Sequence, residues 1–375
     1  MSLHQFYSVI KKFWFEPGSP LPLGLFRICF GFVLLEYCFL MAPELITCLS
    51  DTNGILRIET LKNIFAVPVI NLITLLPPGD GWIIVFFAVF VLSCICLTLG
   101  LFSRASIILV YLGLISIQHR NIYVHHSGDH LLILAAFYLM FAPIGAALSL
   151  DRVLKIWLSP TLPAREHEQV SLWAFKAYQI QFMLIYWQTS WAKIAAPTWW
   201  DGTALYYVFR HAEFSRFPVP IVPDNLFLLK IFTWSAILIE FCAWIFVWFK
   251  ETRYPVLLSL VALHLGIDYA MNIPIFEHIM LASLVIFIPA EDLKKCAAII
   301  RTWVRQKYGA PVFIQYNAMD PLQARLARTV KCLDILHRFQ VIDTSEASSE
   351  SSDELANVSP IVRLKTPRTK KLQVH

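Results

Sequence analysis

Apolar runs that approach the length of a bilayer crossing fill this chain from Leu21 to Ile288, and they leave few alternatives for its fold. They lie at about 21–41, 82–99, 105–117, 129–144, 172–190, 226–248, 254–271 and 276–288. Hydrophobic residues make up 57 % of the chain and charged residues 15 %, with a mean hydropathy of +0.60. That balance excludes an ordinary soluble domain. The expected fold is an all-α polytopic membrane protein with about eight transmembrane helices and a small soluble α/β-like C-terminal tail. The first run is too long for a leader and no small-residue cleavage site follows it, so no cleavable signal peptide is expected. The formal charge of +5 is modest and points to no nucleic acid. The eight cysteines are scattered, several of them inside apolar runs, and no CxxC is present. Neither a metal site nor a redox pair is expected.

Eight crossings would return both termini to one side. Loops on that side carry Lys11, Lys12, Arg104, Arg152, Lys155, Arg165, Lys250 and Arg253, and the tail adds Lys294 and Lys295. The opposite loops carry Arg57, Lys62, Arg120, Lys193, Arg210 and Arg216. The excess of basic residues orients the protein in the inner (plasma) membrane with cytoplasmic N- and C-termini. Lys193 and the stretch His125-His126-Ser127-Gly128-Asp129 then share the non-cytoplasmic side.

Gln188–Arg210 separates two long runs and holds Lys193, the pair Trp199-Trp200 and the turn Asp201-Gly202. Its rings suit a membrane interface. A lysine there has two readings. It can snorkel as an anchor, with its stem in lipid and its ammonium in water. Alternatively, partial desolvation makes it a base.

Charges inside apolar runs are costly and turn toward partners in the bundle. Arg27 and Glu36 share the first run but lie too far apart to pair, so each needs a partner elsewhere. Asp129 and His130 open the fourth run, Arg120 and Asn121 follow the third, and Glu240 sits within the sixth. His264 and Asp268, four apart, share a helix face. The histidine can donate to the carboxylate, either to fix its tautomer for chemistry or as a packing link. His125 and His126 are adjacent and point apart, which argues against a metal site made from them alone. No nucleophile elbow, P-loop, HExxH or dinucleotide fingerprint is present.

Four blocks together resemble the HTTM family, the membrane domain shared with vitamin K-dependent γ-glutamyl carboxylases. They are LGLFRICFGFVLLE (23–36), RNIYVHHSGDHLLILAAFYLMFAPIGAALSLD (120–151), KIAAPTWWDGTALYYV (193–208) and HLGIDYAMNIPIFEHIMLASLVIF (264–287). The resemblance covers most of residues 20–290 and implies a domain over 1–290. It implies oxidation of a reduced quinone of the vitamin K or menaquinone type by oxygen. The strong base so formed deprotonates a glutamate side chain, which takes up carbon dioxide. It makes Lys193 the base that deprotonates the quinol, with His264 as a second catalytic group. Arg27, Arg120, Asn121, Asp129, His130, Trp199, Asp201, Gly202 and Asp268 would frame the quinone pocket. Partners implied are the lipid bilayer and a peptide or protein substrate on the non-cytoplasmic side. The chain differs from the carboxylases in having Ala192 beside Lys193, where they carry two lysines, and in lacking their large lumenal propeptide-binding domain.

Beyond 290 the chain becomes polar. Pro311–Tyr316 reads as a strand, Asp320–Leu333 as a helix and Phe339–Ile342 as a second strand. Residues 291–343 resemble the start of a DCC-type thioredoxin-like domain, but Asp320 and Gln323 occupy its two cysteine positions. Without a thiolate and a resolving partner this fragment is a degenerate docking module with no redox activity. Residues 344–375 are expected to be disordered. Three functions fit the whole: a carboxylase-like quinol-dependent enzyme, a non-enzymatic maturation or assembly factor for a secreted peptide or partner protein, and a transporter. The absence of inverted repeats counts against the last.

Overall fold

The computed structural model describes residues 3–64, 69–123, 126–159, 169–219, 221–309, 312–334, 338–343 and 361–363. A lead helix, α1 (Leu3–Phe15), precedes α2 (Leu21–Met41). The short helices α3 (Leu45–Leu49) and α4 (Ile58–Ile64) fill part of the following loop. Then come α5 (Asp80–Leu99), α6 (Ser103–Arg120), α7 (Ser127–Phe141) and the short α8 (Leu150–Leu158). α9 (Trp173–Ala195) leads through α10 (Pro197–Trp200) and α11 (Ala204–Arg210) to α12 (Leu226–Phe246), α13 (Arg253–Ala270) and α14 (Pro274–Leu284). Each apolar run of the sequence is therefore a helix. By length and apolarity alone, three stretches qualify as spans: Leu21–Leu49, Asp80–Leu99 and Leu226–Phe246. Ser127–Phe141 and Ile275–Phe287 are apolar helices shorter than a full span.

Local signals set the helix ends. Gly100, at φ +67°, accepts the left-handed turn that stops α5. His126 and Asp129 form a capping box at the start of α7. Asn225 caps α12 by accepting from the backbone N–H of Phe227 and Leu228. Hydrogen bonds between loops define two ends of the bundle. At one, Gly18 pairs with Val170, and Asp151 donates its N–H to Gly100. At the other, Asn121 and Arg120 bond the backbone of residues 48–56, and Asp80 accepts from Ser50. These are called the Gly100 end and the Ser50 end.

α5 shows how the helices divide their surfaces. Ile83, Phe87, Phe90, Cys94 and Leu97 are buried, whereas Ile84, Val85, Val89 and Leu92 are exposed. An apolar outer belt of this kind belongs against lipid rather than water. Inside, small residues allow close approach. A Cβ on Gly31 of α2 would lie 2.2 Å from Thr98 Oγ1 of α5, so the two helices meet almost backbone to backbone.

The region after 290 adds two elements that the sequence reading did not include. Residues Ala290–Tyr308 form a 19-residue helix, α15, that begins with Glu291 and Asp292 in its first turn, where acidic residues complement the helix dipole. β1 (Val312–Tyr316), α16 (Pro321–Leu333) and β2 (Phe339–Asp343) follow, with β1 and β2 parallel. A short β3 (Ile361–Arg363) adds to the other edge of β1 in the order β2-β1-β3. Those three residues are paired backbone within a stretch expected to be disordered. The Ser/Glu-rich run 344–353 and the basic end beyond Arg363 lie outside the described residues.

Candidate functional site

α9 ends at Ala196 because Pro197 follows, and Pro197 starts α10 as a first-turn proline. The chain then turns through Asp201 and Gly202, the latter at φ +83°, a conformation that favours glycine. Asp201 accepts from the Thr203 N–H at 2.9 Å and the Thr203 hydroxyl at 2.6 Å. These bonds hold its carboxyl below the usual carboxylate range. The turn rests on the first turns of α12. Trp234 Nε1 donates to the Trp200 carbonyl at 3.1 Å, and a Cβ on Gly202 would meet the Lys230 stem at 2.7 Å. The start of α12 therefore overhangs the end of α9, and Glu240, well inside α12, arrives beside Lys193.

Lys193 and Glu240 form a hydrogen-bonded ion pair, with side chains 22 % and 8 % exposed. The Thr189 hydroxyl donates to the other carboxylate oxygen at 3.1 Å, and the ammonium lies 5.0 Å from the Trp199 ring centre. The amine is thus only partly shielded from water, and it is committed to a carboxylate and a ring face rather than standing alone in an apolar wall. Of the residues expected to frame a pocket here, Trp199 touches Lys193, while Asp201 and Gly202 shape the turn.

About two turns further in, a second polar group crosses three helices. His264 Nδ1 lies 2.5 Å from Glu277 Oε2 of α14, and His264 Nε2 lies 2.7 Å from the Tyr186 hydroxyl of α9. Thr189, which donates to Glu240, lies three residues along α9 from Tyr186. With Glu277 accepting from Nδ1–H, Nε2 is left to accept from the tyrosine. The His264–Asp268 pair expected from their spacing does not form. Glu277 reaches His264 from the neighbouring helix, whereas Asp268, one turn nearer the Ser50 end, accepts from Arg216 at 2.8 Å. Asp268 also lies 3.6 Å from His278 Nε2, and His278 Nδ1 bonds Glu36 at 2.7 Å. Glu36 thus finds the partner that its own helix could not give. Glu277 and Tyr186, which sequence reasoning did not single out, left no mark there, because their role depends on facing a different helix.

The remaining predicted residues separate into two places. Arg120 Nη2 donates to the carbonyls of Ser50 at 2.6 Å and Leu56 at 2.7 Å, and Asn121 donates to Cys48 at 3.1 Å. Both staple the loop after α2. His130 Nδ1 accepts from Gln118 Nε2 at 2.7 Å. Beside them, a cavity of about 450 Å³ is lined by Tyr37, Cys48, Asn121, His126, Asp129 and Ile275, among others. Asp129 Oδ2 accepts from the His126 N–H at 2.8 Å, while its buried Oδ1 has no partner among the described residues. Lys193 does not line this cavity. His125 lies outside the described residues.

Arg27 stands at the opposite end and is corrected out of the pocket. The Gly18–Val170 bridge sets the starts of α2 and α9 side by side. Arg27 lies early in α2 and Lys193 late in α9, an axial separation of about 20 Å at 1.5 Å per residue. Its guanidinium, fully buried, donates to the carbonyls of Ile144 at 3.0 Å and Ala147 at 3.4 Å, and also to Leu148. It is the clasp of the loop after α7.

No cluster of three metal-ligating side chains occurs among the described residues. In the tail, Asp320 and Gln323 act as structure. Asp320 caps α16 by accepting from Leu322 N–H at 2.9 Å, and Gln323 accepts from Asn317 N–H at 2.9 Å. No solved structure matches the chain closely enough to carry a comparison. A family model, that of the HTTM domain, matches residues 15–291, which take in every helix that bears Lys193, Glu240, Tyr186, His264 or Glu277. The chain belongs to the HTTM domain family.

Proposed function

We propose that this protein is a carboxylase-like membrane enzyme whose interior moves protons for a reduced quinone. Eight helices, α2, α5, α6, α7, α9, α12, α13 and α14, would cross the inner membrane, with the Gly100 end cytoplasmic. The observation that carries the reading is the half-buried pair Lys193–Glu240 with the buried group Tyr186–His264–Glu277 deeper in the same bundle. Ionisable groups inside a membrane domain are costly and mark working sites. In the reading offered by family likeness, quinol oxidation by oxygen is coupled to carboxylation of a glutamate side chain by carbon dioxide.

The quinol ring fits the Asp129 cavity better than the surroundings of Lys193. That cavity has apolar walls and ample volume for a bicyclic ring. Asn121, His126 and Asp129 in its lining offer polar groups for a ring hydroxyl. When bound, the quinol contributes the reducing equivalents and the strong base. The chain's own residues do the rest. Glu277 orients His264, and His264 Nε2 draws on the Tyr186 proton. Glu240 and the Trp199 ring hold the Lys193 ammonium in place. Apolar packing around the bundle excludes water.

The commitment of Lys193 to Glu240 favours a second reading, in which the pair is a packing link and the protein is a non-enzymatic maturation factor for a secreted peptide. One experiment separates them. Purified protein in detergent is supplied with reduced vitamin K or menaquinone, and oxygen consumption is followed with wild type and Lys193→Ala. Consumption by the wild type and its loss in the variant support the enzyme. No consumption by the wild type, together with no co-purified quinone, leaves the maturation reading.

A further inference from the structure

The lead helix α1 is amphipathic, and the described residues leave most of its apolar face uncovered. Phe6, Tyr7, Ile10, Phe13 and Trp14 recur at helical spacing and share one side. Of these, Phe6, Tyr7, Ile10 and Phe13 are between 39 and 65 % exposed. Gln5, Ser8 and Lys12 occupy the opposite side, with Lys11 on its border. Phe15 departs from this division, in the last turn.

Contacts with the bundle fix where the helix ends. The Phe13 carbonyl would bond the N–H of residue 17, but Pro17 has none to give. The Lys176 ammonium, from the first turn of α9, donates to that carbonyl instead and stands 5.4 Å from the Phe13 ring centre. Just beyond, Gly18 and Val170 exchange backbone hydrogen bonds of 2.9 and 3.0 Å. A Cβ on Gly18 would lie 2.6 Å from Leu172. The end of α1 is therefore held beside the start of α9, where the apolar belt of the bundle gives out. Trp173, an exposed ring at that level, suits a membrane interface. α1 cannot be a further crossing. Its 13 residues reach about 20 Å, short of the ~30 Å hydrocarbon core, and Pro17 and Gly18 part it from α2.

We propose that α1 lies in the bilayer interface at the Gly100 end, with Phe6, Tyr7, Ile10 and Phe13 among the acyl chains and Ser8 and Lys12 turned to headgroups and water. Projecting into water would leave that apolar face wet, whereas lying along the membrane buries it. The cationic border suits phosphate-bearing headgroups. Lys12 is already shared with Glu16 at 4.0 Å, so the apolar face rather than a surplus of charge carries the binding. Lys176 and the Gly18–Val170 pair tie this interfacial helix to α9, which bears Tyr186 and Lys193. The inference rests on the bilayer-spanning reading, not on the quinol chemistry.

The test uses the full chain in vesicles of mixed phosphatidylcholine and phosphatidylglycerol. Photoreactive benzoylphenylalanine is placed in turn at Phe6, Ile10, Ser8 and Lys12, and adducts are identified by mass spectrometry after illumination. Phe6 and Ile10 are expected to give lipid adducts on the order of tenfold more often than Ser8 and Lys12. Hydrogen exchange gives a second readout. The double variant Phe6→Asp/Ile10→Asp should exchange its α1 amides on the order of tenfold faster than wild type, with α9 unchanged, whereas Ser8→Asp should match wild type. Neither readout involves quinol, so this inference and the quinol reading fail separately. Adducts from Phe6 and Ile10 mainly to protein, equal lipid labelling from both sides of the helix, no lipid adduct at all, or wild-type exchange in Phe6→Asp/Ile10→Asp would each overturn the proposal.

Discussion

Glu277 Oε2 sits 2.5 Å from His264 Nδ1, and neither side chain is more than 3 % exposed. This contact fixes the imidazole so that its far nitrogen faces Tyr186. Tyr186→Phe keeps the ring and removes the hydroxyl, leaving Nε2 without a partner. A buried group so abandoned costs about 1–3 kcal/mol, and a matching fall in thermal stability in detergent is expected. An unchanged melting temperature would show that the tyrosine does not donate there.

Lys193 and Glu240 stand or fall together. Lys193→Met or Glu240→Leu alone strands a charge in a partly dry site. Each is expected to cost about 2 kcal/mol, below the 3–5 kcal/mol of a fully buried pair because the lysine retains some access to water. The double variant Lys193→Met/Glu240→Leu should recover most of that loss. If the double variant is as unstable as the sum of the singles, the two residues are not coupled. The same double variant should remain inactive toward quinol while folded.

Arg27 serves several carbonyls from one planar group. Arg27→Lys keeps the charge but not the fork, and a point-like ammonium cannot satisfy oxygens on Ile144, Ala147 and Leu148 together. A loss of about 2 kcal/mol is expected, with faster proteolysis in the loop after α7. Full retention of stability in Arg27→Lys would show that charge alone suffices.

Asp201 should give the fold a small acid sensitivity. Its folded carboxyl titrates below the ordinary value of about 4, so its contribution is complete above that value and drains away as pH falls through the folded one. Asp201→Asn keeps the acceptor for Thr203 and removes the titration. Wild type and variant should therefore converge in stability as the pH is lowered. A constant difference across that range would place the effect elsewhere.

Helices were legible in the sequence because each is written along one continuous run. Leu21–Met41, for example, appears as a helix with the same limits the apolar run suggested. Turn chemistry was legible too, since Pro197 and Gly202 act locally. What one strand of text cannot carry is which helix faces which. His264 and Asp268 share a face of α13, yet a carboxylate on α14 intervenes for one and an arginine in the loop after α11 for the other. Arg27 was grouped with Lys193 by family blocks that ignore depth, and the bundle places them near opposite ends. The α15 helix was missed because its charged residues carry no membrane signal, only an amphipathic one.

Arg328 of α16 donates to the carbonyl of Ser159, at the very end of α8, at 2.8 Å. The small parallel sheet is thereby bolted to the underside of the membrane domain rather than dangling from it. Whatever grasps that sheet therefore loads the last turn of α8 first, and a shift of α8 is felt in the sheet.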